Sequence, residues 1–285
     1  MGTLSRSWSL LGQSFAVLKS DKELMWLPII SAIFCLMATV TIFGIGLIWT
    51  LPPGVPIPSD PVAQKELTRQ LAPFIFLFYI VTYSVSTYFN VALVSIASNR
   101  LEGGNATLND GLQLAWQRKW SIFQWALLSA TVGIIIQALE QKFGFLGRLI
   151  IRMIGVAWAL ATFFVVPLLA AENVGPVEAL CKSGAISRKQ WGQQVAGGFS
   201  FGLVFFVLAL PGALLPLLGA QMGKTQMVAG MAVAVIYWPL LAVVNSAARG
   251  IFVAALYRYA TTQKVSGGFD RSDLTGAWEP KTPRY

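Results

Sequence analysis

The sequence predicts an all-α, polytopic integral membrane protein with six transmembrane helices and short amphipathic helices on the cytoplasmic side. Three observations carry that prediction. Over 285 residues the chain is 55% hydrophobic and 12% charged, with a mean hydropathy of +0.64; soluble domains carry about 25% charged residues. The charges leave six uncharged runs, 24–59, 70–99, 120–139, 153–171, 190–223 and 225–248. Each matches or exceeds the roughly 20 apolar residues that a helix needs to cross about 30 Å of hydrocarbon, where a central charge is costly. Finally, Lys and Arg fall 15 on one side of these runs and 6 on the other. Positive residues stay in the cytoplasm, so an even number of crossings with this split puts both termini there.

The element order follows from the pattern. Residues 1–23 carry Leu4, Trp8, Leu11, Phe15 and Leu18 at helical spacing, an aromatic-rich stripe expected to lie on the membrane or against other cytoplasmic segments. The six-helix domain covers 24–262, with spans expected near 25–50, 71–96, 121–139, 152–171, 196–219 and 227–257. The first run is longer than a signal-peptide core of 7–15 residues and is expected to be a retained anchor. Trp26 and Trp49 lie 23 residues apart, about 35 Å on a helix, which suits the two headgroup layers. The prolines from Pro52 to Pro58 form a stiff extended spacer.

Two loops echo each other: Leu108-Asn109-Asp110 leads to Arg118-Lys119-Trp120, and Val177-Glu178-Ala179-Leu180 leads to Arg188-Lys189-Gln190-Trp191. Each reads as a short amphipathic helix running into a basic cluster and an interfacial Trp. Pro28, Pro167, Pro211 and Pro216 are placed to kink their spans, and the fifth span, with Pro211-Gly212 and Pro216, is the expected discontinuity. Residues 263–285 are expected to form a cytoplasmic tail.

The stretches Ser5-Arg6-Ser7-Trp8-Ser9-Leu10 and Lys19-Ser20-Asp21-Lys22-Glu23-Leu24 carry a family likeness, as do Val166-Pro167-Leu168 with Glu172, Gly175-Pro176, Ala179-Leu180 and Ser183. So does the tail motif Ala255-Leu256-Tyr257-Arg258-Tyr259-Ala260 with Gly267-Gly268-Phe269-Asp270. The chain resembles an uncharacterised family of bacterial six-helix membrane proteins, distantly similar to the membrane domain fused to some glycerophosphodiester phosphodiesterases. The resemblance implies the fold and a bacterial inner-membrane location; it implies no activity.

Chemistry is narrowed by what is missing. The chain has no histidine, which removes Ser-His and Cys-His pairs and imidazole-dependent metal sites. No Asp falls in any expected span, so a paired-Asp intramembrane protease is excluded, and no phosphate-binding or dinucleotide fingerprint occurs. Cys35 and Cys181 are remote and suggest neither a disulfide nor a metal. No catalytic residue, metal or cofactor is expected. The net charge of +9 fits topology and anionic headgroups better than nucleic acid.

Polar groups at membrane depth are therefore the candidate functional residues, since each needs a partner there. Tyr79, Tyr83, Ser86 and Asn90, with Thr82 beside them, put one polar face along the second span. That face serves either interhelical hydrogen bonding or a hydrated surface. Arg249 interrupts the sixth span and either snorkels to headgroups or pairs with Glu172, the pair being preferred. Glu140 and Arg148 are expected to pair across the turn at Gly144, leaving Arg152 toward water or lipid. Ala242, Ser246, Gly250 and Ala254 of the sixth span and Gly198 and Gly202 of the fifth form small-residue rows suited to close helix crossing, within one chain or between two.

Two functional classes remain. One is a non-catalytic scaffold or accessory protein, holding lipid or a membrane-protein partner through its cytoplasmic basic-aromatic face. The other is a passive channel or transporter for a small solute, anions included. Anionic lipid headgroups and a second copy of the chain are the expected partners; nucleic acid is not.

Overall fold

The computed structural model describes residues 18–19, 21–51, 54 and 58–262, with the side chains of all of these except 145, 189–201 and 203. The N-terminal stripe up to Phe15, most of the proline spacer and the tail 263–285 lie outside the described residues. Among the described residues the chain forms eight α-helices and no strand. They are α1 (Trp26–Thr50), entered through a 3-10 turn at Lys22–Met25, then α2 (Pro61–Leu101), α3 (Leu108–Gln117) and α4 (Lys119–Lys142). After these come α5 (Phe145–Ala161), α6 (Val165–Ala171), α7 (Pro176–Met222) and α8 (Lys224–Thr262). Six segments are long and apolar enough to cross a membrane: Lys22–Thr50, Pro61–Leu101, Lys119–Lys142, Leu146–Ala171, Val204–Met222 and Lys224–Thr262. The chain is a multi-pass membrane protein.

Several boundaries move for identifiable reasons. α2 starts ten residues before the expected 71 because Asp60 caps it, its carboxylate accepting from the Ala63 N–H at 3.1 Å, with Pro61 at the first helical position. The fifth span, expected at 196–219 after a separate short helix, is the far part of one 47-residue helix. At 1.5 Å per residue that is about 70 Å, more than twice the hydrocarbon thickness, so α7 is longer than one membrane crossing requires. Pro211 and Pro216 lie inside α7 without breaking it. α7 and α8 then meet at Gly223, whose φ of 131° is open to glycine but not to other residues. Past this turn the two backbones stay close: a Cβ on Gly219 would stand 2.5 Å from the Gln226 carbonyl oxygen, and one on Gly230 2.7 Å from that of Leu215.

The discontinuity falls in the fourth span instead. α5 ends at Ala161 and α6 begins at Val165. Pro167 explains the position, since it offers no N–H to the carbonyl of residue 163 and its ring crowds that carbonyl. A break inside the hydrocarbon exposes backbone groups that have no water to meet them. α7 supplies the partners. The Phe164 N–H donates to Ser183 Oγ at 3.0 Å, and Ser187 Oγ donates to the Leu160 carbonyl at 3.2 Å. Both serines are 0% exposed and stand four residues apart, on one face of α7.

The tight core gathers at the end of the bundle that holds Asp21 and Thr262, the terminal end. Leu24, Leu27, Leu93, Ile96, Phe164, Val165, Leu168, Leu169 and Ile251 are fully buried there. Toward the opposite end the helices keep large apolar side chains exposed, Ile48, Trp49, Leu217 and Val235 among them. Lipid tails are as apolar as these side chains and need no further cover.

The serine brackets make a direct prediction. Ser183→Ala leaves the buried Phe164 N–H without an acceptor, at a cost of about 1–3 kcal/mol. The thermal midpoint of the detergent-purified protein should drop for Ser183→Ala, and further for Ser183→Ala with Ser187→Ala. Unchanged midpoints would contradict this account of the break.

Candidate functional site

α2 and α8 cross where Gly250 faces the Leu93 side chain, so closely that a Cβ would overlap Leu93 Cδ2. A cleft opens on each flank of this crossing. The first, of about 310 Å³, lies between α1, α2 and α8 and is lined by Pro28, Ser31, Cys35, Ser86, Phe89, Asn90, Leu93, Pro239, Ala242 and Ser246 among others. The second, of about 460 Å³, lies toward the α5–α6 break, with Asn90, Val94, Thr162, Phe163, Asn245, Ser246, Arg249 and Val253 on its walls. Asn90 and Ser246 line both and stand between them. Helical spacing makes this arrangement: Ser86 and Asn90 are one turn apart on α2, as are Ala242 and Ser246, and Asn245 and Arg249, on α8.

The polar face of α2 divides along its length. Tyr79 and Tyr83 form a ring pair at 6.5 Å, with Phe78 against Tyr79 at 5.6 Å, and the Thr82 hydroxyl returns to the Phe78 carbonyl of its own helix at 2.7 Å. Tyr83 is exposed. Ser86 and Asn90 reach the clefts, and Ser86 Oγ also lies 3.6 Å from Cys35 Sγ.

The pair expected between Glu172 and Arg249 is not formed. Glu172 instead holds Lys182 Nζ at 2.6 Å and accepts from the Tyr257 hydroxyl at 3.2 Å, while Lys182 also meets Glu178 at 2.9 Å. The reason is depth. Arg249 precedes Tyr257 by eight residues on α8, about 12 Å further from the terminal end. Arg249 is exposed along the second cleft and makes no ion pair among the described residues. At the opposite end, Glu140 pairs with Arg152 Nε at 2.8 Å rather than with Arg148. Long side chains lean toward the N-terminus of their helix, so Arg152, about two turns into α5, reaches back toward Glu140.

The small-residue rows also serve other contacts than a crossing of the last two spans. Gly250 meets Leu93 of α2, Ala254 is buried in the core, and Ala242 and Ser246 face the first cleft. Gly202 has nothing within 4 Å, and the surroundings of Gly198 lie outside the described residues.

A clamp of charges ties the terminal end together. Arg100, its side chain 13% exposed, meets Asp21 at 2.5 Å and Glu23 at 3.5 Å, and its Nε donates to the Ala106 carbonyl at 3.0 Å. Arg258 Nε lies 3.5 Å from Glu102. Thr107 and Asp110 form a reciprocal capping box at the start of α3, and the Tyr88 hydroxyl donates to the Leu112 carbonyl at 3.0 Å, holding α3 to α2. Hydrogen bonds from the Thr107 backbone and then its hydroxyl hold the Asp110 carboxyl below the usual carboxylate range. Hydrogen bonds that the Lys182 ammonium donates to Glu172 and then Glu178 push it above the usual lysine range. Where α3 passes into α4, Lys119 Nζ sits 4.2 Å above the Trp116 ring, and Trp116 and Trp120 are both exposed. Among the described residues no group of three or more metal-ligating side chains is assembled.

The profile of a family of unknown function, DUF6159, matches residues 71–268. The chain belongs to this family. No curated protein and no solved structure matches it. The DUF6159 match takes in Asn90, Asn245, Ser246 and Arg249, the broken span with Ser183 and Ser187, and the Glu172–Lys182–Tyr257 cluster. Pro28, Ser31 and Cys35, the α1 wall of the first cleft, precede it.

The capping box gives a pH dependence with a fixed sign. A carboxyl held below its unfolded value contributes stability that is present above the unfolded value and lost as pH falls through the folded one. Wild type should melt above Asp110→Asn at neutral pH, and the gap should close on acidification through the carboxylate range. A gap independent of pH would contradict the assignment.

Proposed function

We propose that this DUF6159 protein is a non-catalytic scaffold or accessory protein of the bacterial inner membrane, with both termini cytoplasmic, that holds anionic lipid through basic and aromatic groups at its terminal end. The observation that carries the reading is the junction of α3 and α4. Gly111 and Ala115 bury one face of α3 against the bundle, while Trp116, Lys119 and Trp120 stay exposed where the chain enters a span. Exposed Trp beside Lys is the chemistry of the headgroup layer, where each basic residue near an anionic surface contributes about 1 kcal/mol. The same face can take a membrane-protein partner or a second copy.

A second reading, passive conduction of a small anionic solute, is favoured by one feature: Asn90 and Ser246 line two clefts at once, with Arg249 beside them.

One preparation tests both. Native mass spectrometry of the protein in mild detergent should show retained anionic lipid, reduced several-fold in the variant Trp116→Ala, Lys119→Gln, Trp120→Ala. Equal retention by this variant contradicts the scaffold reading. Anion flux into proteoliposomes, abolished by Asn90→Leu, would establish conduction in its place.

A further inference from the structure

We infer that the cleft around Arg249 is a binding site for one phospholipid, its phosphodiester paired with the Arg249 guanidinium. The inference rests on the lipid-binding reading above but concerns a different place, inside the bundle rather than on its headgroup collar.

The first argument is charge. Arg249 makes no ion pair among the described residues, and the nearby carboxylates are engaged elsewhere, Glu172 with Lys182 and Tyr257, Glu102 with Arg258. The walls around Arg249 carry Asn90, Asn245, Ser246 and Thr162 and no acidic residue. A guanidinium at this depth needs an anion or water, and a planar fork of donors matches a phosphodiester in two-point contact. The amides of Asn90 and Asn245 add neutral donors for the remaining oxygens.

Depth is the second argument. Arg249 precedes Arg258 by nine residues, about 13 Å along α8 from the level where Arg258 meets Glu102 and Arg100 meets Asp21. That places it below the charged clamp and within the length of the span, where a freely hydrated anion has little reason to descend and a lipid of the same leaflet is already present.

Shape is the third. The cleft of about 460 Å³ falls in the size range of small-ligand sites. Its wall sets Val94, Phe163, Val166 and Val253 beside Arg249 and the neutral donors, so it offers a lipid headgroup region both charge and apolar contact.

The test uses the full-length protein after delipidation in detergent, titrated with phosphatidylglycerol, with diacylglycerol as the phosphate-free control and with inorganic phosphate as the soluble anion. Native mass spectrometry should show one tightly held phosphatidylglycerol per chain in wild type. Arg249→Gln should weaken it about tenfold, the loss of one charge-assisted contact, and Arg249→Lys less. The triple variant Trp116→Ala, Lys119→Gln, Trp120→Ala should keep this molecule while losing the loosely held ones. If Arg249→Gln fails to fold, Asn245→Leu, which keeps the guanidinium, should lower the same occupancy by a smaller factor. Equal occupancy in wild type and every cleft variant overturns the site and leaves the collar untouched. Diacylglycerol bound as tightly as phosphatidylglycerol overturns the phosphate contact, and thermal stabilisation by inorganic phosphate equal to that by the lipid assigns the site to a soluble anion instead.

Discussion

Every backbone amide inside a hydrocarbon layer needs a partner supplied by the protein, and this requirement shapes the molecule more than any other. Five of the six apolar segments meet it through continuous helices. The other, Leu146–Ala171, is broken between Ala161 and Val165. There the protein has to provide from α7 what the helix no longer provides for itself, and Ser183 and Ser187 do so from two successive turns. The break also shapes the second cleft, because Thr162 and Phe163 form part of its wall. A single proline thus connects local chain geometry, a pair of buried serines and the volume beside Arg249.

The two ends of the bundle are held differently. Toward the opposite end, side chains face outward and adhesion rests on close approaches such as Gly219 and Gly230 in the α7–α8 hairpin. At the terminal end the core is dense and the charges are interlocked, with Arg100 joining the entry of α1 to the α2–α3 loop and Glu172 joining α6, α7 and α8. Arg249 belongs to neither arrangement. It lies between the clamp and the apolar half, beside neutral donors, which is why its counter-charge is sought outside the chain.

The architecture was legible in the sequence because hydropathy and charge report burial in oil directly: all six runs coincide with membrane-length helices. The course of the backbone at the ends was less legible. Nothing in the composition of 176–195 distinguishes a short amphipathic helix followed by a loop from the first half of a 47-residue helix. Of four prolines marked as kink sites, Pro211 and Pro216 were the expected discontinuity, yet the break falls near Pro167, where Ser183 and Ser187 lie opposite to meet the freed backbone groups. Side-chain pairing was least legible. Glu172 with Arg249 satisfied charge but not depth, and Glu140 with Arg148 satisfied the turn but not the lean of side chains along a helix. Ser183, Ser187 and Arg100 went unassigned as partners, although Arg100 facing Asp21 and Glu23 across a single charged end carried a signal.

The account depends on an even number of crossings that return α1 and α8 to one side. Single cysteines in a background lacking Cys35 and Cys181, probed on sealed vesicles with a membrane-impermeant thiol reagent, test this most directly. Asn109→Cys and Thr262→Cys should react from one face, and Gln64→Cys and Lys224→Cys only from the other. Labelling of all four from the same face would contradict the six-span arrangement and the depth assigned to Arg249 with it.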